Sequence, residues 1–369
     1  MAESAATGGA DAAGGRVGAV SAVVCNYNGA PYLTACLDAL AALADPVDEI
    51  VVVDNLSTDG SLALLAERYP EVRVVRMGSN AGPAAARNAG MRAARNRWVL
   101  AVDNDAVVTP ELLGALCAAA EAHAGCVIVQ PRSVFAHERS RVHYDGGGAH
   151  YAGLVALRNF YTPLDDAEGS GTVEVDVAIS VCLLVDSRTV LAAGGYDESY
   201  FILFEDLDLS YRLRLLGHRI LSVEDVLVLH DAGTPGVSFR EGAHYPARRV
   251  LFHSRNRWLF MLKCFRWRTL LVALPAILVY EALWLAFAAR HGGLRAWLRG
   301  KLQVAGALPE LARKRRAVQR GRRLPDRELL VGGPWTVTPA LREGRAGAVL
   351  GRLDAAFRAW WRLVRRFAG

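Results

Sequence analysis

Asp103, Asn104 and Asp105 follow an apolar run that ends at Val102. Two carboxylates two residues apart at a strand end can grip a hard divalent cation and phosphates bound to it. The same triplet suits an Asx-turn, so alone it decides nothing. His230 closes the run Val226–His230 and is either a structural strand-end residue or a borderline metal ligand. Asp54 ends another apolar run, Glu49–Asp54, where an acid can accept hydrogen bonds from a nucleobase imide or ribose hydroxyls. In a dinucleotide fold such an acid is preceded by a GxGxxG turn. The corresponding stretch here, Cys25-Asn26-Tyr27-Asn28-Gly29, lacks those glycines, which disfavours a dehydrogenase. Ser57 and Asp59 read as turn and N-cap residues. Glu205-Asp206-Leu207-Asp208 precedes Arg212 and Arg214, a charge order that a helix dipole favours by itself. It also sets a carboxylate where it could act as general base on a hydroxyl. Tyr196, Tyr200, Phe201 and Phe204 just upstream are either core or a wall shielding such a site.

The surrounding pattern says what must position these groups. Residues 1–16 are small and Gly-rich and read as a disordered leader without secretion features. From Val17 to about Arg132, apolar runs alternate with amphipathic segments. Strands are predicted at Val20–Cys25, Glu49–Asp54, Val72–Arg76 and Trp98–Val102, with helices between them. Runs that are apolar throughout are covered on both faces, and helical crossovers between them imply parallel pairing. The prediction is a doubly wound α/β sheet, in which ligands sit beyond the carboxyl ends of the strands. Tyr27, Asn28, Asp54 and Asp103–Asp105 fall at those ends. Residues 132–172, polar and Gly-rich, read as an insertion or substrate loop. Strand pattern resumes over Val173–Val185, and two further strands are expected at Arg219–Val223 and Val226–His230.

Charge is divided along the chain. Residues 290–369 hold 19 Lys/Arg against 5 Asp/Glu, so an acidic body carries a basic tail. Thr269–Ala289 is a 21-residue apolar segment interrupted only by Glu281 and Pro275, long enough to cross roughly 30 Å of hydrocarbon. Both flanks are basic, which fits a broken helix or hairpin lying in one leaflet better than a simple span. A single span and a buried core helix are the other readings. Six cysteines without a CxxC pair give no disulfide framework or zinc knuckle.

Taken in order, VVCNYNG, VVVDNLSTDGS, NAGPAAARN (Asn80–Asn88), DND, GGYDESYF and EDLDLSYRLRLLG resemble the family-2 inverting glycosyltransferases of GT-A fold, in the manner of the bacterial rhamnosyltransferase-like members. The likeness runs from Val20 to Trp258. It implies a GT-A mixed sheet over residues 17–250, while the apolar segment and the charge division lead to the expectation of membrane-associated helices over 251–300 and a basic helical tail over 301–369. It further implies transfer of one sugar from a nucleotide-sugar donor to a glycan or polyprenyl-linked acceptor, at the cytoplasmic face of the membrane, in cell-envelope polysaccharide synthesis. In that reading Asp54 recognises the base, with Tyr27 and Asn28 in the pocket wall, and Arg87 lies near the diphosphate. Asp103 serves the ribose side and the metal shell. Asp105 and His230 complete a site for Mg²⁺ or Mn²⁺. Asp206 is the base and Glu205 supports it. Two departures, Ser180 and Asp186, fall where Gly and a basic residue are common. Ser254-Arg255-Asn256-Arg257-Trp258 keeps the Arg-Trp but not the Gln of the processive QxxRW motif, which favours single-sugar addition. Arg255, Arg257 and the Arg313–Arg323 cluster are expected at lipid phosphates, and no specific nucleic acid is expected. A sugar-phosphate nucleotidyltransferase is the competing enzyme class, but the loop CNYNGAPY lacks its cation. A nucleic-acid-binding protein would explain the tail and leave the apolar segment unexplained.

Overall fold

The computed structural model describes residues 17–230, 245–337 and 343–369, so the expected leader, residues 1–16, lies outside the described residues. The chain begins with β1 (Val20–Asn26), α1 (Ala30–Ala41), β2 (Glu49–Asp54), α2 (Ser61–Arg68), β3 (Arg73–Arg76), α3 (Gly82–Ala93) and β4 (Trp98–Asp103). The four strands pair in parallel in the order β4-β1-β2-β3, as their uniform apolarity requires. Leu33, Cys36, Leu37 and Leu40 form the buried stripe of α1, one helical face set by the 3.6-residue period. On the opposite side α3 comes close to the sheet at Gly90, where a Cβ would stand 2.2 Å from Val23 Cγ1.

The second half turns the sheet into a mixed one. A turn after β4 leads into the short strand β5 (Ala106–Val108), followed by α4 (Leu112–Ala122) and β6 (Cys126–Phe135). The region expected as a loop contains β7 (Val142–Tyr144), β8 (Gly147–His150) and β9 (Leu154–Leu157), then β10 (Thr172–Val175). That expectation is corrected. The strands are short enough to hide their period-two signal, and the glycines serve close backbone approach, since a Cβ on Gly147 would lie 2.3 Å from Ala156 O. The polar residues there are interior, with Arg132 bonded to Asp145 and, at 3.0 Å, to Glu224. Strand β11 (Cys182–Asp186) lies antiparallel between β4 and β6, so the predicted run Val173–Val185 is split between β10 and β11. After α5 (Ser187–Ala192) and α6 (Glu205–Leu215), the two expected late strands are one, β12 (Arg219–His230). A register shift between Val223 and Leu227 explains the broken pattern: it is a bulge within one strand.

The rest is helical: α7 (Ala247–Cys264), α8 (Trp267–Arg290), α9 (Leu294–Gly321), the short α10 (Asp326–Leu329), β13 (Leu330–Val331) and α11 (Gly344–Val364). Pro275 lies inside α8 without ending it, and α9 returns alongside, with Lys301 paired to Glu281. Buried Asp326 fastens this layer to the sheet domain, accepting from Tyr211 OH and Thr269 Oγ1, each at 2.6 Å, and from Arg266 N at 2.7 Å.

Candidate active site

The parallel strands change direction of growth at β1, which has β2 on one side and β4 on the other. Their carboxyl ends open a crevice there. Register places Asn26 opposite Asp54 and Cys25 opposite Asp103. Asp54 is buried at the crevice floor, where Asn26 Nδ2 donates to one oxygen and Ser57 N to the other, each at 3.1 Å. Asn28, in the left-handed region at φ 51°, accepts from Thr58 N at 2.8 Å. Its own N–H donates to Ser57 Oγ at 2.9 Å. These bonds fix the loop and leave Tyr27 as a half-exposed ring at the rim. Asp59 accepts from Ala30 N at 2.9 Å and from Ser61 N at 3.0 Å, the turn role expected for it.

On the β4 side, Asp103, Asp105 and His230 each offer one ligand atom, all within 4.8 Å of one another. Strand β5 follows directly after Asp105 and pairs antiparallel with β12, setting Ala106 opposite His230, which is how a residue from β12 reaches the DND turn. His230 Nε2 lies 3.3 Å from Asp105 Oδ1, and its Nδ1 lies 3.1 Å from His143 Nδ1. Two carboxylate oxygens and one imidazole nitrogen suit Mg²⁺ or Mn²⁺, with positions left for water or phosphate oxygens. The residues therefore fit the cation that the sequence resemblance implies. Asn104 points away, donating to Asn26 Oδ1 at 2.8 Å.

Arg87 connects this cluster to the acids of α6. Its Nη2 donates to Asp103 Oδ1 at 2.7 Å and to Ser180 O at 2.8 Å, and its Nη1 stands 3.6 Å from Glu205 Oε1. Arg87 and Glu205 are both buried, and Arg87 Nη1 and Glu205 Oε2 have no hydrogen-bond partner among the described residues. Burial, reinforced by the neighbouring Asp206 carboxylate and opposed by Arg87, pushes the Glu205 carboxyl up to about 8. The sign of the linkage follows: the folded chain keeps a proton that the unfolded chain gives up, so stability falls as pH rises from the ordinary carboxyl range to about 8. Glu205→Gln should therefore flatten the decline of Tm with pH across that window. Parallel Tm–pH curves for variant and wild type would contradict this.

Asp206 is half-buried beside this pair. Ser180 Oγ donates to Asp206 Oδ1, Ser180 N donates to Oδ2 at 3.3 Å, and Tyr196 OH lies 2.7 Å from the same Ser180 hydroxyl. The third acid, Asp208, is committed elsewhere: Arg212 binds it at 2.8 Å and Lys263 at 2.7 Å. The loop that delivers Glu205 is unusual, since Phe201, Leu203 and Phe204 all have φ between 64° and 72°. Such backbone persists only where its surroundings hold it. Asn256 Nδ2 does so, donating to Tyr200 O, Ile202 O and Leu203 O at 3.1, 2.9 and 2.7 Å. Arg255 Nη2 adds a bond to Tyr200 O at 2.7 Å. Arg257 is fully buried and bonds Ala152 O and Glu281, each at 2.8 Å. Arg255 and Arg257 are therefore internal clamps, which corrects their expected place at lipid phosphates.

The structure thus gathers Arg87, Asp103, Asp105, Glu205, Asp206 and His230 around one end of the sheet, with Asp54, Tyr27 and Asn28 on the β2 side of the same crevice. The sequence pattern gives Ser180 and Asn256 no role in the site, and Tyr196, expected as core or site wall, is buried with its hydroxyl on Ser180. Ser180 stood out only as a departure, and nothing in the spacing of residues 180, 196 and 206 reveals that the three meet.

Residues 21–174 match the sequence model of Glycosyl transferase family 2. The chain is 27% identical over 259 residues to an N-acetylglucosaminyl-diphospho-decaprenol L-rhamnosyltransferase of Mycobacterium tuberculosis, covering 65% of this chain and 82% of that one. It is 36% identical over 104 residues to a succinoglycan biosynthesis protein of Rhizobium meliloti, covering 28% and 30% of the two chains. Among solved structures, that of GalNAc-T7 with UDP, GalNAc and Mn²⁺ superposes with a TM-score of 0.50 at 16% identity, over 66% of this chain and 50% of that one; this is a likeness of fold. With the motifs from Val20 onward, the mixed sheet and the acids at its switch point, these matches support a family-2 glycosyltransferase of GT-A fold, similar to rhamnosyltransferases.

Proposed function

We propose that this glycosyltransferase moves a single hexosyl or deoxyhexosyl unit from a nucleotide-sugar to a hydroxyl of a polyprenyl-linked or other glycan acceptor, with inversion at the anomeric carbon. The setting is cell-envelope polysaccharide synthesis, in keeping with the relatives' names, and its proposed place is the cytoplasmic face of the membrane. The observation that carries the reading is Arg87, one buried guanidinium touching Asp103 of the cation cluster and standing 3.6 Å from Glu205 beside Asp206. A leaving diphosphate and an acceptor hydroxyl must lie on opposite sides of the anomeric carbon, and Arg87 joins the groups suited to each.

Each residue then has a task. Asp54, Tyr27 and Asn28 hold the base and ribose, and Asp103 orients Arg87 toward the diphosphate. Asp103, Asp105 and His230 would hold Mg²⁺ or Mn²⁺, which when bound supplies neutralisation of the leaving diphosphate. Asp206 takes the acceptor proton as its hydroxyl oxygen attacks, and the donor C–O bond breaks with its electron pair on the diphosphate. No enzyme carboxylate bonds to the sugar. Protonated Glu205 sits beside Asp206 without adding a second negative charge. Ser180, with Tyr196 behind it, aims the Asp206 carboxylate.

Nucleotide-sugars screened with and without Mn²⁺ for a rise in Tm test the reading, because a donor that binds only the folded chain must stabilise it. Asp105→Ala is expected to lower cation-dependent donor affinity by about tenfold or more in titration calorimetry. Unchanged affinity would remove Asp105 from the site. Acceptor-dependent release of nucleoside diphosphate separates transfer from nucleotidyl chemistry.

A further inference from the structure

The outer face of α8 is an exposed apolar stripe with Arg266, Arg268 and Arg316 beside it, while Arg315 is tied inward to Leu262 O and Phe265 O, each at 2.6 Å. One side of α8 packs against the protein along its whole length, through Thr269, Ala273, Ala276, Ile277, Trp284 and Ala288. The other side presents Trp267, Leu271, Leu274, Leu278, Val279 and Leu283 to solvent, with Leu271 69% and Trp267 61% exposed. No charged residue interrupts that stripe. At its start an open groove is lined by Arg266, Trp267, Arg268, Arg315 and Arg316, with the Arg315 guanidinium 4.1 Å from the Trp267 ring centre. Arg290 closes the far end. The helix has 24 residues, about 36 Å at the rise of an α-helix.

We propose that α8 is an in-plane docking face for an anionic phospholipid surface: the leucine stripe lies among the acyl chains and the Arg266, Arg268 and Arg316 side chains meet lipid phosphates. It rests on the membrane-held acceptor read above and names the surface that would bring the chain to it. Three observations separate this occupant from others. A span would carry Glu281 into hydrocarbon together with its partners Arg257, Trp258 and Trp297, at 2.8, 2.9 and 2.9 Å, and buried charges there are costly. The buried side of α8 reaches from Thr269 to Ala288, leaving no length free of protein to cross a bilayer. A second copy of the chain would bring a second set of arginines against the first, whereas anionic headgroups complement them.

Flotation of the full chain with vesicles of phosphatidylcholine, with and without phosphatidylglycerol, tests this and needs neither donor nor acceptor, so its failure is separate from failure of the transfer reading. Wild type is expected to float with the anionic vesicles and to be released by alkaline carbonate. Leu271→Glu and Leu278→Glu, both at exposed positions, are each expected to lower partitioning about tenfold or more. A triple Arg266→Gln, Arg268→Gln, Arg316→Gln variant should lose the preference for phosphatidylglycerol while keeping its Tm. Equal flotation of Leu271→Glu and wild type would overturn the proposal. So would resistance to carbonate with a protected C-terminal tag, which indicates a span. Conversion of a dimer to a monomer by Leu271→Glu with no vesicle binding by either form would assign the face to a second copy and would also overturn it.

Discussion

Asp206→Asn is expected to slow sugar transfer by about 10²–10⁴-fold, the usual contribution of a positioned general base, while donor affinity stays within a few-fold. The amide keeps the shape of the carboxylate: its one oxygen can accept from Ser180 N while its NH2 donates to Ser180 Oγ, whose own proton can turn to Tyr196 OH, so the α6 terminus and its loop remain in place. What is lost is the capacity to take the acceptor proton. The donor side depends on other residues, Asp54, Arg87 and the Asp103–Asp105–His230 cluster, none of which bonds to the Asp206 carboxylate. Initial rates at saturating donor, paired with calorimetric donor binding, separate the two effects. Turnover within a few-fold of wild type would remove Asp206 as the base. An equal collapse of donor affinity would make it part of the donor pocket instead.

Arg87→Ala is expected to be the most disruptive single change. Arg87 is buried between Asp103 at 2.7 Å and Glu205 at 3.6 Å, and also holds the Ser180 carbonyl at 2.8 Å. Burial disfavours its charge, yet Asp103 and the nearby acids hold its pKa well above the ordinary value. Removing one member of such a group leaves the other charges uncompensated and costs about 3–5 kcal/mol. The same change releases the Ser180 carbonyl, whose residue aims Asp206, so both the donor side and the base should fail together. Arg87→Lys keeps the charge but cannot fork between two carboxylates and a carbonyl, and is expected to fold with impaired transfer. Urea denaturation reads the first effect. A loss below about 1 kcal/mol for Arg87→Ala would mean that Asp103 and Glu205 do not depend on the guanidinium.

Much of this arrangement can be read from the chain, and the limits are physical. Strands β1, β2 and β4 are apolar on both faces, which specifies their parallel pairing and so the crevice at Asp54 and Asp103. Asp105, Asp206 and His230 are ambiguous by residue type and spacing alone, and only the family resemblance singles them out. Residues 132–172 were misread because strands of three or four residues carry too little alternation, and because Arg132, Asp145 and Glu224 neutralise one another inside the protein. Local pattern cannot distinguish such internal charges from solvated ones. The same limit applies to Arg255 and Arg257, whose neighbours Tyr200, Ala152 and Glu281 come from distant segments. Ser180 differed from expectation in sequence, and its geometry gives the difference a use. A glycine there would leave Asp206 without the hydroxyl donor that Tyr196 in turn supports.

The central claim is that cation cluster and base meet across one anomeric carbon. It is tested most directly by the configuration of the product, read by proton NMR as transfer proceeds with Mn²⁺, donor and acceptor. A linkage of opposite anomeric configuration to the donor is expected, formed by wild type and absent from Asp206→Asn. A product that retains the donor configuration would contradict it.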